Sequence, residues 1–395
     1  MTRAHRGFNV KLPVAGAVLG WVLAGFGLVG CGGGASGVRS SETSAPVWVW
    51  SLPAGFALPA VPADNPMSAA KVDLGRHLFY EKRLSGNGTQ ACSSCHFQEK
   101  AFTDGLPVSK GSTGESTPRN AQSLGNVVYS PTLTWANPSL VKLERQMEVP
   151  LFSENVVEMG VNDSNKAAVL QRLADFPLYP PKFAAAFPGE ADPINWSNIT
   201  KAIAAFERTL ISGNSRYDQF LAGKTVLTEA ENRGKALFFG DKTRCSACHG
   251  SFNFNDQLVQ ASSVVVDKPF HNIGLYNVDG LGAYPEPNRG VLELSGLPRD
   301  MGAFRTPSLR NVEVTAPYMH DGSVATLEEV LDILAAGGRN MTAGVHTGDG
   351  RLNPFKSPLI TRLDLDAQDK ADLLAFLKTL TDQEFLRNPQ FANPF

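Results

Sequence analysis

The tightest constraint on this chain is a five-residue pattern that occurs twice. Cys92-Ser93-Ser94-Cys95-His96 is echoed by Cys245-Ser246-Ala247-Cys248-His249. Two cysteines two residues apart, followed at once by histidine, form a c-type haem attachment signal. One turn of backbone sets both thiols over the two vinyl groups of one porphyrin. The adjacent imidazole then turns onto the iron as the proximal ligand. A four-cysteine zinc ribbon and a thioredoxin-like dithiol are the competing readings of two C-x-x-C pairs. Neither accounts for a histidine in the same place after both. The sequence therefore predicts two covalent c-type haems. Cys92, Cys95 and His96 would hold the first, and Cys245, Cys248 and His249 the second.

These signals use four of the five cysteines, so no pair remains for a disulfide. The fifth closes Leu28-Val29-Gly30-Cys31, which resembles a bacterial lipobox. It follows a basic start (Arg3, Arg6, Lys11) and an apolar, glycine-rich run from Leu12 to Val29. Residues 1–31 read as a lipoprotein signal peptide, cut before a lipidated Cys31. A transmembrane anchor is the alternative, since the run is about long enough to span a bilayer. Either one exports the rest of the chain, and c-type haem is attached outside the cytoplasm. Both point to the periplasm, and in the favoured lipoprotein reading the membrane is reached only through a lipid anchor. A formal net charge of -2 over 395 residues leaves no electrostatic footprint for nucleic acid.

Residues 32–65 have the Gly, Ser, Pro and Ala composition of a flexible tether. Trp48 and Trp50 within it read as a local apolar contact. An internal repeat then begins near Met67. Ala69 to Tyr80 has helical spacing with Gly75-Arg76 midway, and Thr228 to Gly240 repeats it with Gly234-Lys235. Thr228 and Glu231 have capping-box spacing. Each helix is followed by a haem signal and then by Phe-x-Asp, as Phe102-Thr103-Asp104 and Phe254-Asn255-Asp256. Further helices are predicted over 166–176, 198–211, 327–336 and 366–380. The resulting fold is mainly α, with two cytochrome c-type haem domains in tandem and long irregular loops. The first domain spans 66–223 and the second 224–395, with the boundary near Gly223.

Over almost all of its mature length the sequence resembles the bacterial di-haem cytochrome c peroxidases and their MauG relatives. The stretches that carry the resemblance are Leu74-Gly75-Arg76, Leu84-Ser85-Gly86, Phe102 through Gly105, Pro118-Arg119-Asn120, Val157 through Gly160, Ala204 through Thr209, Phe270-His271-Asn272 and Thr306 through Gly322. Thr134 through Pro138 and Gly282 through Pro285 look like the MbnH branch of that family. The resemblance implies an oxidoreductase that uses hydrogen peroxide to reach a high-valent di-haem state and oxidises a partner protein. The implied target is a tryptophan, converted to kynurenine, in an MbnP-like copper protein. A peroxidase that reduces hydrogen peroxide with electrons from a small cytochrome or cupredoxin is the alternative, and a pure electron carrier the third reading.

The resemblance also implies site residues. The first haem would bind peroxide, with Gln146 and Glu158 on its distal side. A positioned carboxylate can move a proton from one peroxide oxygen to the other as their bond breaks. Trp135 would lie between the haems, and Trp196 is a candidate surface exit for oxidising equivalents. One Ca2+ would take the Asn120 side chain and the carbonyls of Thr315 and Pro317, oxygen ligands that suit it.

The chain departs from the family in two places. Residues 105–118 lack the histidine that caps the first iron in many of these peroxidases, so the first haem should be open without activation. Leu334 occupies the position where the family has a Met or Tyr iron ligand, and leucine cannot bind iron. Met341 is the nearest replacement in sequence and Tyr318 is also close; a five-coordinate or water-ligated second haem is the other outcome. His271 and His320 are expected to hydrogen-bond near the second haem, His346 to be exposed and His77 to be structural.

Overall fold

The computed structural model describes residues 48–395. The expected leader 1–31, with the lipidated Cys31 read from the sequence, lies outside them. Twelve helices run along the described chain: α1 (Ala69–Tyr80), α2 (Leu143–Gln146), α3 (Glu148–Phe152), α4 (Lys166–Ala174), α5 (Tyr179–Ala186), α6 (Trp196–Glu207), α7 (Arg216–Leu221), α8 (Glu229–Phe239), α9 (Ser246–His249), α10 (Leu292–Ser295), α11 (Leu327–Ala335) and α12 (Ala367–Lys378). The strands are two-residue pieces. β1 (Phe270–His271) pairs antiparallel with β2 (Phe304–Arg305), and β3 (Asn340–Met341) with β4 (Gly348–Asp349). The fold is therefore mainly helical, as expected.

The repeat seen in the sequence becomes a repeated helix crossing. α1 packs across α6, and α8 packs across α12. Each crossing closes on a glycine. A Cβ at Gly75 would lie 1.9 Å from the Ala202 carbonyl oxygen, and one at Gly234 would lie 1.8 Å from the Asp372 carbonyl oxygen. No side chain can occupy either position without separating the helices. The aromatic residues after each glycine then reach the core: Phe79 meets Phe206 at 5.3 Å, and Phe238 meets Phe376 at 5.2 Å. Thr228 caps α8 with the reciprocal Glu231 contact that the spacing predicted.

Two apolar cores surround the two crossings. The first gathers Leu74, Leu78, Phe79, Ile199, Ile203 and Phe206, and the second gathers Phe238, Phe254, Leu373, Phe376 and Leu377. A third cluster, around Trp135, Tyr276, Tyr284 and Phe304, is built from long loops. Sequence position and core membership differ at two places. α7 precedes Gly223, yet its Tyr217 stacks edge-on against Phe376 in the second core. Its Asp218 takes a two-pronged contact from Arg310 at 2.8 and 3.0 Å. The last segment returns to the first core through Phe385, Leu386 and Phe391.

Residues 48–65, inside the expected tether, are laid on the body. Tyr129 Oη donates to the Ala57 carbonyl at 2.6 Å, Phe56 packs on Phe252, and Asn65 is buried with its amide on Glu144. Trp48 and Trp50 meet edge to face at 5.8 Å. No described helix is long and apolar enough to cross a membrane.

Candidate active site

Each attachment signal is a tight turn that folds its histidine back over its cysteines. The His96 amide donates to the Cys92 carbonyl at 3.1 Å, and the His249 amide to the Cys245 carbonyl at 2.9 Å. His96 Nδ1 sits 2.6 Å from the Phe102 carbonyl oxygen, and His249 Nδ1 2.7 Å from that of Phe254. A carbonyl only accepts, so Nδ1 carries the proton in both rings. Nε2 keeps its lone pair, the form a metal ligand needs, and the carbonyl fixes the ring's direction.

The Phe-x-Asp repeat owes its place to this contact. Phe102 and Phe254 have φ of 63° and 53°, a left-handed conformation unusual for a bulky side chain. That conformation turns the carbonyl onto the histidine while both rings stay buried. Burial holds both histidines below their ordinary pKa, opposed by those carbonyls, and so favours the neutral ring.

The two cysteine pairs do not come together. Cys92 packs on the first core and Cys245 on the second, which removes the four-cysteine zinc ribbon. Among the described residues, Cys248, Asp256 and His271 form the one cluster with metal-ligand spacing. Asp256 Oδ2 already accepts from His271 Nε2 at 2.7 Å and from Thr306 at 3.1 Å. His271 thus has the hydrogen-bonding role expected of it.

Beside the second signal lies a cavity walled by Cys245, Cys248 and His249, by Phe238, Leu331, Leu334, Leu373 and Leu377, and by Tyr284 and Phe304. Its wall carries two buried atoms without a protein partner, Arg305 Nε and His320 Nε2. An apolar slot with two cysteines, a directed histidine and a few orphaned polar atoms fits a porphyrin with carboxylate edges. Leu334 lines this slot, and so do Tyr318 and Met319. Met341, the residue expected from sequence to replace Leu334, is absent from the lining and sits in β3 against the third cluster. Tyr318 donates its hydroxyl to the Val312 carbonyl at 2.9 Å. His320 stacks on Phe304 at 3.7 Å, and burial pushes it down to about 4, so its ring is neutral.

The same cavity reaches Thr103, Asn120 and Trp135, the side of the molecule that holds the first signal. Trp135 Nε1 donates to the Asn120 carbonyl at 2.9 Å, and Trp135's own carbonyl accepts from the Arg305 amide at 2.8 Å. Trp135 is thus pinned between the loops of both halves. Thr315 and Pro317 line the cavity with Asn120. The Asn120 amide nitrogen donates to the Leu106 carbonyl at 2.8 Å.

On the first side, Glu158 lies near Cys92 and Cys95. It is half-buried, and desolvation raises its carboxyl above the ordinary range. Gln146 ends α2, just before the α3 segment whose Pro150 and Leu151 carbonyls accept from the Met159 and Val161 amides. The loop 105–118 presses on the backbone of Glu158. Ser112 N donates to the Glu158 carbonyl at 2.7 Å, Glu115 Oε2 accepts from Val157 N at 3.0 Å, and a Cβ on Gly111 would come within 1.9 Å of the Val157 carbonyl oxygen. That loop therefore positions Glu158.

Sequence reasoning passed over Glu207. It lies in the Ala204 through Thr209 stretch, is buried at the end of α6, and has Oε2 without a partner. Burial pushes its carboxyl up to about 8. The signal available was an acid continuing the apolar face of an amphipathic helix. Neighbouring Arg208 is ion-paired to Glu144 at 2.8 Å. Trp196 packs edge-on against Phe152 at 5.1 Å with its Nε1 buried and unpartnered, and His77 is tied to the Asp73 carbonyl at 2.8 Å.

Residues 69–226 match the di-haem cytochrome c peroxidase family. The cytochrome-c peroxidase IdrP1 of Denitromonas iodatirespirans is 34% identical over 354 residues, covering 82% of this chain and 85% of that protein. This chain belongs to the di-haem cytochrome c peroxidase and MauG family. The methylamine utilization protein MauG of Methylorubrum extorquens is 32% identical over 320 residues, covering 81% of this chain and 80% of its own. A crystal structure of a MauG-like protein associated with microbial copper homeostasis superposes with a TM-score of 0.87 at 57% identity, covering 88% of this chain and 99% of that one. Membership in this family makes the protein a di-haem oxidoreductase.

Proposed function

We propose that this enzyme uses hydrogen peroxide to oxidise a partner protein, with a tryptophan of an MbnP-like copper protein as the target and kynurenine as the product. The observation that carries the reading is Glu158, a half-buried carboxyl beside the first attachment turn. It is backed by a loop with no histidine to cap the site. The 57% identity to a MauG-like protein associated with copper homeostasis supports a copper-linked partner.

The division of labour follows from the residues. The first haem, when bound through Cys92, Cys95 and His96, supplies the redox chemistry of O–O cleavage. Glu158 takes the proton from one peroxide oxygen and delivers it to the other, a task suited to an acid whose pKa desolvation has raised. Gln146 contributes an amide that can hydrogen-bond peroxide without carrying charge. Trp135, pinned by Asn120 and Arg305, bridges the two halves. Asn120, Thr315 and Pro317 offer oxygens for a structural Ca2+. Leu28 through Cys31 support export to the periplasm as a lipid-anchored protein.

The 34% identity to a cytochrome-c peroxidase favours the second reading, reduction of hydrogen peroxide to water with electrons from a small cytochrome or cupredoxin. One mixture separates the two. Holoenzyme, hydrogen peroxide and the candidate copper protein are combined, and the partner's tryptophans are examined by mass spectrometry for added oxygen. Oxygen on the partner supports protein oxidation. An unchanged partner, with rapid oxidation of a reduced cytochrome in a parallel mixture, supports the plain peroxidase.

A further inference from the structure

The cavity beside the second attachment turn opens onto a file of aromatic rings. His320 stacks on Phe304 at 3.7 Å, and both meet Tyr284 at 6.1 Å. Tyr284 meets Tyr276 at 5.4 Å, and Tyr276 meets His346 at 5.7 Å. Phe304, His320 and Tyr284 line the cavity, whereas His346 lies between Val345, which is 92% exposed, and Thr347, which is also exposed. Sequence placed His346 in an exposed loop; its ring instead leans on Tyr276 and is half-buried. The file therefore leads from the haem cavity to the surface.

The two tyrosines differ in their partners. Tyr284 Oη donates to the Asn272 side-chain oxygen at 2.8 Å and accepts from the Leu275 amide at 3.0 Å. An amide oxygen is a poor base, so Tyr284 has nowhere to send a proton. Tyr276 Oη donates to Asp321 Oδ2 at 2.5 Å. Asp321 is ionised beside that hydroxyl and can accept its proton: burial raises its pKa, but the Tyr276 and Ser323 contacts outweigh that and hold it below the ordinary range. The Arg339 guanidinium stands 4.4 Å over the Tyr276 ring. A cation there disfavours positive charge on the ring, so an electron can leave Tyr276 readily only if the proton leaves with it.

We propose that Tyr276, paired with Asp321, is the outer relay through which oxidising equivalents leave the second haem's cavity for the surface at His346. This rests on the protein-oxidising reading above, which supplies hydrogen peroxide as oxidant. Tyr276 loses one electron inward along the ring file, and its O–H proton passes to Asp321 Oδ2, leaving a neutral tyrosyl radical. The partner's oxidisable side chain then returns an electron to Tyr276, and Asp321 returns the proton. Each oxidised partner side chain releases its proton to solvent, and two such electrons with two protons from solvent take one peroxide to two waters.

The test is rapid freeze-quench EPR of full-chain holoenzyme mixed with hydrogen peroxide alone, with optical spectra of the same samples. The wild type should form a tyrosyl radical as the peroxide-oxidised haem spectrum decays, and ring-deuterated tyrosine should narrow its signal. Tyr276→Phe keeps the ring and its packing but should lose the radical and prolong the oxidised spectrum. Asp321→Asn keeps the tyrosine and should show the same loss. Tyr80→Phe, off the file in the first core, should keep the signal. Haem content scales every signal, so a poorly loaded variant is not counted as a loss. A full-strength radical in Tyr276→Phe, or a loss there without one in Asp321→Asn, overturns the relay. A wild type whose haems peroxide does not oxidise overturns the functional reading itself, and the relay with it.

Discussion

The two haem sides share one design and differ in what surrounds it. Both have a glycine-closed helix crossing, a C-x-x-C-H turn, and a left-handed phenylalanine whose carbonyl aims the histidine. The first side adds acids close to the attachment turn, Glu158 near Cys92 and Cys95 and Glu207 near Cys92, and burial raises the carboxyls of both. The second side adds Leu331, Leu334, Leu373 and Leu377, with rings in a file and a neutral His320. A base beside a haem can manage peroxide protons. An apolar slot with stacked aromatics can hold and pass on an oxidising equivalent but cannot move those protons. On the proposed function, the same attachment unit is given two tasks by its neighbours, and the difference can be attacked from either side.

The largest effect is expected from Glu158→Gln. Reaction of the oxidised enzyme with hydrogen peroxide should slow by about a hundredfold or more, the usual size of a lost acid–base group. Both haems should stay bound, because Glu158 is not an attachment residue. Stopped-flow spectra and haem stains would check the two halves of that statement. An equal rate in wild type and mutant would show that the acidic surroundings of the first side are not what distinguishes it.

The shared part of the design should fail symmetrically. Gly75→Ala and Gly234→Ala each force a methyl group into a carbonyl of the crossing helix. Overpacking of this kind costs typically about 1–3 kcal/mol. Denaturant titration of the holoprotein should show comparable losses. A loss at one crossing alone would mean that only one half depends on close helix approach.

A smaller, pH-shaped effect is expected from Glu207. Its folded pKa is raised from the ordinary 4.5 to about 8. The unfolded chain therefore releases this proton above pH 4.5, while the folded chain keeps it until about 8. Stability attributable to Glu207 should fall as pH rises through that window and level off above it. Its slope cannot exceed about 1.4 kcal/mol per pH unit. Glu207→Gln should flatten this component in a series of denaturation curves across the window.

What the sequence could show was local. The C-x-x-C-H turns, the capping box at Thr228 and the helix glycines are short-range patterns, and Thr228 caps its helix as the spacing implied. Phe102 and Phe254 were visible as a repeat, but nothing in a phenylalanine announces a left-handed backbone or a carbonyl aimed at histidine. Gly111 gave no hint that its loop would lie on Glu158, because that contact joins residues far apart in the chain. Met341 is near Leu334 in sequence, yet it pairs with Gly348 and is absent from the cavity wall. Glu207 was hidden because an acid on an amphipathic helix usually faces water. Tyr276, Asp321 and His346 come from three separate loops and meet only in the fold.

The difference between the two sides rests most heavily on an uncapped first site with a base already in place. It is tested most directly by mixing the fully oxidised holoenzyme with hydrogen peroxide in a stopped-flow spectrometer, with no reductant present. An immediate spectral change of the haems, slowed in Glu158→Gln, is the expected result. An enzyme that stays inert until one haem has been reduced would contradict it.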